Sequence, residues 1–146
     1  MRTILGTMCD PHTGWLLMRS LETLVAGFLN THPKVASVWY LGFLPEGHPD
    51  RPVFEHQCKG PGSTFSFEVK GGEAEAFAVL DRLKVIKLAV SLGGTETLAS
   101  HPAAMTHSDI PEEERLRLGI APALIRISVG IEDPDDLIVD LSQALG

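Results

Sequence analysis

The sequence predicts an α+β fold: an antiparallel or mixed sheet of about four strands with helices on one face. Three observations carry this reading. Short β-rich stretches alternate along the chain with longer stretches whose apolar residues recur at helical spacing. The connections between them are brief and marked by Gly and Pro. At 146 residues the chain has the size of one ordinary domain, long enough for a core without metal or disulfide staples.

In chain order, residues 1–10 read as a strand or arm broken at Asp10-Pro11. From His12 to Asn30, Trp15, Leu16, Leu17, Leu21, Leu24, Val25, Phe28 and Leu29 recur at helical spacing, and Thr31-His32-Pro33 ends the helix. Residues 1–31 thus form an arm and helix, and residues 32–146 the α+β unit. Val35 to Leu41 is short and β-rich, hence a strand. Gly42, Pro45, Gly47, Pro49 and Pro52 mark a loop or a short turn of helix. Ser63 to Val69 alternates apolar and polar residues, as a half-buried strand does.

Gly71-Gly72 opens a second helix, with Ala76, Phe77, Val79, Leu80 and Leu83 as its apolar face. Val85 to Val90 reads as a third strand. Pro111-Glu112-Glu113-Glu114-Arg115 starts a helix, its acids favoured by the dipole, and Gly119 closes it. Leu124 to Val129 is a fourth strand. Asp133-Pro134 makes an N-cap and first-turn pair for a last helix, whose apolar face is Leu137, Ile138, Leu141 and Leu145.

Composition narrows the function. A net charge of −7 argues against a general binder of nucleic acid or anionic membrane, since neither would find a basic surface. Cys9 and Cys58 are too few for a disulfide framework, so a reducing, cytoplasmic setting is expected. No apolar run reaches the roughly 20 residues of a membrane span.

The chemistry points to Arg126. It sits between Leu124, Ile125, Ile127 and Val129, and strand alternation puts it on one face with Leu124 and Ser128. A guanidinium there is costly unless an anion pairs with it, and its fork of donors suits a carboxylate. The plain alternative is an edge-strand arginine reaching water or an internal salt bridge. Ser91-Leu92-Gly93-Gly94-Thr95 offers backbone N–H groups to an anion, or simply closes a strand; its spacing fits neither a P-loop nor a dinucleotide fingerprint. The histidines form no metal-ligand pattern, and no metal is expected. His101 and His107 could line a pocket, although a satisfied loop histidine explains each as well. Asp135-Asp136 and Glu112 to Glu114 read as helix-start charges, and no nucleophile motif is present.

Four blocks carry a resemblance: Leu5 to Leu24, Phe28 to Val35, Ser91 to Ser108, and Leu124 to Asp133 with the helix after it. Together they resemble the C-terminal part of the Cys/Met-metabolism (transsulfuration) family of pyridoxal-phosphate enzymes, closest to cystathionine γ-synthase-like and methionine γ-lyase-like members. The resemblance implies the small C-terminal domain of fold-type I enzymes. It implies that Arg126 grips a substrate α-carboxylate, that Ser91 helps position it, and that Thr106 supplies a nearby hydroxyl.

Two departures limit the likeness. The family's cofactor lysine, its ring-stacking tyrosine and its phosphate loop have no counterpart in these 146 residues. None of Lys34, Lys59, Lys70, Lys84 and Lys87 has the Ser-x-x-Lys setting. Also, Leu24 runs straight into Val25, where family members place about a dozen or more further residues, some three to four helical turns. The two family segments must therefore fuse into one helix, with Gly27 as a weak point.

The expectation is a carboxylate-binding C-terminal domain with no catalytic residue of its own and no pyridoxal phosphate held by this chain alone. Its partners would be a small amino acid or carboxylate and further copies of itself, since a face made to meet a larger domain should be apolar. The alternatives are one half of a split pyridoxal-phosphate C–S lyase or synthase, completed by a large-domain partner chain, and a non-enzymatic binding or oligomerisation module.

Overall fold

The computed structural model describes the backbone of residues 13–146 and the side chains of residues 21–146. The expected arm over residues 1–10, and the side chains of Trp15, Leu16 and Leu17, lie outside the described residues. Helix α1 spans Thr13–Thr31 without a break across Leu24-Val25. It is followed by β1 (Val35–Trp39), a 3-10 turn (Leu41–Phe43), α2 (Arg51–Gln57), β2 (Thr64–Val69) and α3 (Glu73–Arg82). Then come β3 (Lys87–Leu88), β4 (Leu98–Ser100), α4 (Pro102–Met105), α5 (Glu112–Arg117), β5 (Leu124–Ser128) and α6 (Pro134–Leu145).

The strands form one five-stranded mixed sheet in the order β1-β2-β5-β4-β3, antiparallel throughout except for β3 beside β4. Alternation along the strands sorts the residues. Phe65, Phe67 and Val69 of β2 and Ile125 and Ile127 of β5 join Val25 and Leu29 of α1, Val79 and Leu80 of α3, and Leu137 and Leu141 of α6 in one core. Each such side chain withdrawn from water contributes about 1.5–3 kcal/mol. Helices α1, α3 and α6 therefore cover one face of the sheet, as the apolar periodicities require.

Local chemistry sets the helix ends. Asp133 caps α6 by accepting the Asp135 N–H at 2.9 Å, with Pro134 in the first turn. Glu75 reaches back to the Gly72 N–H at 2.7 Å at the start of α3. That bond, followed by the Glu75 backbone, holds the Glu75 carboxyl below its usual value. Gly119 and Ile120 end α5 by donating to the carbonyls of Leu116 and Arg115, at 3.0 and 2.8 Å.

Three expectations change. The strand expected over Val85 to Val90 is paired only at Lys87–Leu88. Val85, Leu88 and Val90 are exposed, because Ile86 alone of the four reaches the core. A strand not expected, β4, lies inside the Gly- and hydroxyl-rich stretch after Ser91. Phe77, placed on the apolar face of α3, is 37% exposed and stacks on the His101 ring, centroids 4.6 Å apart.

Candidate functional site

Strand β5 is buried on both faces apart from one residue. Leu124, Ile125, Ile127 and Ser128 are buried, while Arg126 is half-buried. A central strand covered on both sides reads as near-continuous apolar sequence, so a guanidinium at its midpoint stands out. Across the ladder Arg126 faces Ser66 of β2 and Ser100 of β4, on the sheet face away from α1, α3 and α6. Two short side chains flank the long one and leave it room.

Among the described residues, Arg126 makes one hydrogen bond: Nη2 donates to the Val90 carbonyl at 3.0 Å. Val90 precedes Ser91, so this bond joins the arginine to the base of the Ser91-Leu92-Gly93-Gly94 turn. The other guanidinium donors stay open. Ser100 Oγ is buried on the same face and has no hydrogen-bond partner among the described residues.

The turn is tied to the end of β5 as well. Gly93, at φ +74°, donates its N–H to Ser128 Oγ at 3.0 Å. The serine two residues beyond Arg126 thus takes one of the turn's amides. Ile131 donates to the Thr95 carbonyl at 3.0 Å. Gly130 lies so close to this segment that a Cβ there would collide with the backbone of Thr95 and Glu96.

Ser91 itself is exposed. Thr106 is half-buried, its hydroxyl donating to the Pro102 carbonyl at 3.3 Å and meeting His107 Nδ1 at 2.8 Å. The structure links Arg126 to the Ser91 turn through Val90; Thr106 makes its contacts with Pro102 and His107 instead. A cleft of about 440 Å³, lined by Lys34, Lys70, Arg82 and Leu145 among others, and one of about 430 Å³ that includes Glu68 and Pro122, both lie away from Arg126. Neither cleft is lined by Arg126 or Ser91.

His101 resolves to the structural reading. It is fully buried, caps α4 by accepting the Ala104 N–H on Nδ1 at 3.1 Å, and sets Nε2 against the Pro122 carbonyl at 2.7 Å. Asp140 is a buried group that no motif announced. Its carboxylate accepts the N–H groups of Lys84, Val85 and Ile86, each at 2.9 Å. Burial pushes its pKa up, but those three N–H groups and the Gln143 amide outweigh burial and hold it below the usual aspartate value. A sequence signal existed only in retrospect: an acid on the apolar stripe of α6, between Leu137 and Leu141.

All five lysines are exposed. The Lys34 ammonium donates to the Leu145 carbonyl and that of Lys87 to the Lys84 carbonyl, both at 2.8 Å. No helix among the described residues is long and apolar enough to cross a membrane.

Against known proteins, residues 1–146 match the family model described as Cys/Met metabolism PLP-dependent enzyme. The chain is 40% identical over 158 residues to an L-methionine gamma-lyase of Fusobacterium nucleatum subsp. polymorphum, taking in 99% of this chain and 40% of that protein. It is 43% identical over 153 residues to a cystathionine gamma-lyase of Bacillus subtilis (strain 168), taking in 96% of this chain and 40% of the relative. The crystal structure of a cystathione gamma lyase from Micromonospora echinospora superposes with a TM-score of 0.81 at 43% identity, covering 88% of this chain and 33% of that one. The chain thus spans about two fifths of the length of the curated relatives it matches.

Proposed function

The chain belongs to the Cys/Met metabolism family of pyridoxal-phosphate-dependent enzymes, and from that premise we propose that it is a stand-alone, substrate-carboxylate-binding C-terminal domain of the transsulfuration type that performs no chemistry alone. Arg126 is the anion anchor, and Ser91 and Thr106 are the further groups the family pattern assigns to the carboxylate. One observation carries the reading: a half-buried arginine at the midpoint of an otherwise buried strand, bonded to the carbonyl that precedes Ser91, with its remaining donors open. Such a fork suits bidentate recognition of a carboxylate. The Ser100 hydroxyl on the same face, unpaired among the described residues, adds support.

Pyridoxal phosphate supplies an electron sink where it is bound, and needs a lysine held in a closed setting to join it. The described residues do not fit that group: every lysine is exposed, and Lys34 and Lys87 use their ammonium groups on backbone carbonyls. No reaction step is assigned to this chain for that reason.

A second reading, in which a cofactor-bearing partner chain completes the enzyme, draws on Leu88, Val90 and Leu92. They are 52–56% exposed beside the Arg126 contact and offer apolar surface for another domain to cover. Titrating the chain with L-cystathionine by calorimetry, beside pyridoxal phosphate followed by absorbance, tests both. Heat lost in Arg126→Ala, with an unchanged cofactor spectrum, is the expected result. No heat at millimolar ligand overturns carboxylate binding; a stable cofactor band overturns the non-catalytic reading. Activity that appears only after a lysine-bearing partner is added supports the second reading.

A further inference from the structure

Ser91 through Glu96 are all exposed, so burial does not hold this turn in place. Hydrogen bonds do, and the strongest of them converge on Glu132. Its carboxylate accepts the Thr97 backbone N–H at 2.7 Å and the Thr97 hydroxyl at 2.6 Å. Thr97 is 1% exposed, and its Oγ1 in turn accepts the Gly130 N–H at 2.9 Å. Both arms of Glu132 thus close on one buried threonine, and the neutral bonds from Gly93 to Ser128 and from Ile131 to Thr95 lie alongside.

Hydrogen bonds to an ionised acceptor are short and roughly twice as strong as neutral ones, so this two-bond clamp is a firm tie between residues 90–97 and residues 126–132. Gly130 permits it, since a Cβ there would push the two segments apart. Thr97 leads directly into β4, whose Ser100 pairs with Arg126, while the turn ahead of Thr97 leads back to Val90, the partner of Arg126. One carboxylate therefore governs the registry of both segments that border the arginine.

We infer that Glu132 is a positioning residue: through Thr97 it fixes the Ser91-to-Glu96 turn against Arg126, and so shapes the carboxylate site without touching the ligand. The inference rests on the carboxylate-binding reading of Arg126. It extends that reading to Glu132, a residue just before the last helix to which the sequence assigned no role.

The test compares wild type, Glu132→Gln and Thr97→Val with Val25→Ala, a core truncation in α1. Each is titrated with L-methionine, and exchange of the Gly93 amide is followed by NMR. Glutamine keeps the shape of Glu132 and can accept only one of the two Thr97 donors; Thr97→Val, with nearly the same volume, serves if Glu132→Gln does not fold. The expected result is about a tenfold loss of affinity and faster Gly93 exchange in the Glu132 or Thr97 variant, with neither change in Val25→Ala. Wild-type affinity in a folded Glu132→Gln overturns the positioning role and leaves carboxylate binding intact. If the wild type itself does not bind, the carboxylate reading falls. The positioning role is then decided by the amide: faster Gly93 exchange in Glu132→Gln upholds it, and unchanged exchange removes it.

Discussion

Arg126 Nη2 lies 3.0 Å from the Val90 carbonyl, so the cation of the central strand is held by the residue that introduces the Ser91 turn. One carbonyl acceptor orients the guanidinium and leaves the rest of its fork open. An ammonium would make the same point contact without the fork. Arg126→Lys is therefore expected to bind L-methionine at least about tenfold more weakly, while its stability shifts by less than about 0.5 kcal/mol, as for a partly exposed site. Parallel calorimetry and urea titrations check both halves.

Asp140 predicts how the fold responds to acid. Its folded pKa lies below the ordinary aspartate value of about 3.9, so its contribution is complete above that value and is lost as pH falls through the lower, folded one. The thermal midpoint should show no Asp140 dependence above about pH 5 and should fall below about pH 4. Asp140→Ala strands the N–H groups of Lys84, Val85 and Ile86 and should cost about 3 kcal/mol at neutral pH, with a weaker response to acid than wild type. Melts from pH 3 to 7 on both proteins measure this.

Gly27 offers a test in the other direction. It sits inside α1, and among the described residues a Cβ there would meet no atom within 4 Å beyond its own stretch of helix. Gly27→Ala should stabilise the protein by about 0.5–1 kcal/mol through helix propensity alone. A higher urea midpoint with an unchanged slope is the expected readout.

The row Leu88, Val90 and Leu92 predicts association. These residues lie on and beyond the short edge strand β3, more than half exposed. Edge strands with apolar side chains invite pairing. Light scattering should give a mass above that of one chain, and Leu88→Glu with Leu92→Glu should lower it. A monomeric wild type would remove this expectation.

Much of the fold could be read from residue patterns. Asp133-Pro134 announced α6 because capping is local chemistry, and the alternation in Ser63 to Val69 announced β2 because one of its faces is buried. Strand β4 escaped because its three residues, Leu98, Ala99 and Ser100, are all buried, which removes the polar–apolar alternation that marks a strand. The Val85-to-Val90 run is paired over a shorter stretch because the amides of Val85 and Ile86 go to Asp140 instead, and only Lys87 and Ala89 bond across to β4. At the site, Arg126 was visible as a charge in an apolar run. Its tie to Val90, 36 positions away, and the Glu132 clamp depend on which strands become neighbours, and composition carries no record of that.

If the Arg126 guanidinium receives the carboxylate of an amino acid, its own Nε–H signal in 15N NMR must register the ligand. Titration with L-methionine should move that signal saturably, while 3-(methylthio)propylamine, the same molecule without its carboxylate, should leave it in place. An Arg126 signal that ignores methionine, or that follows the amine equally, would contradict carboxylate recognition by this residue.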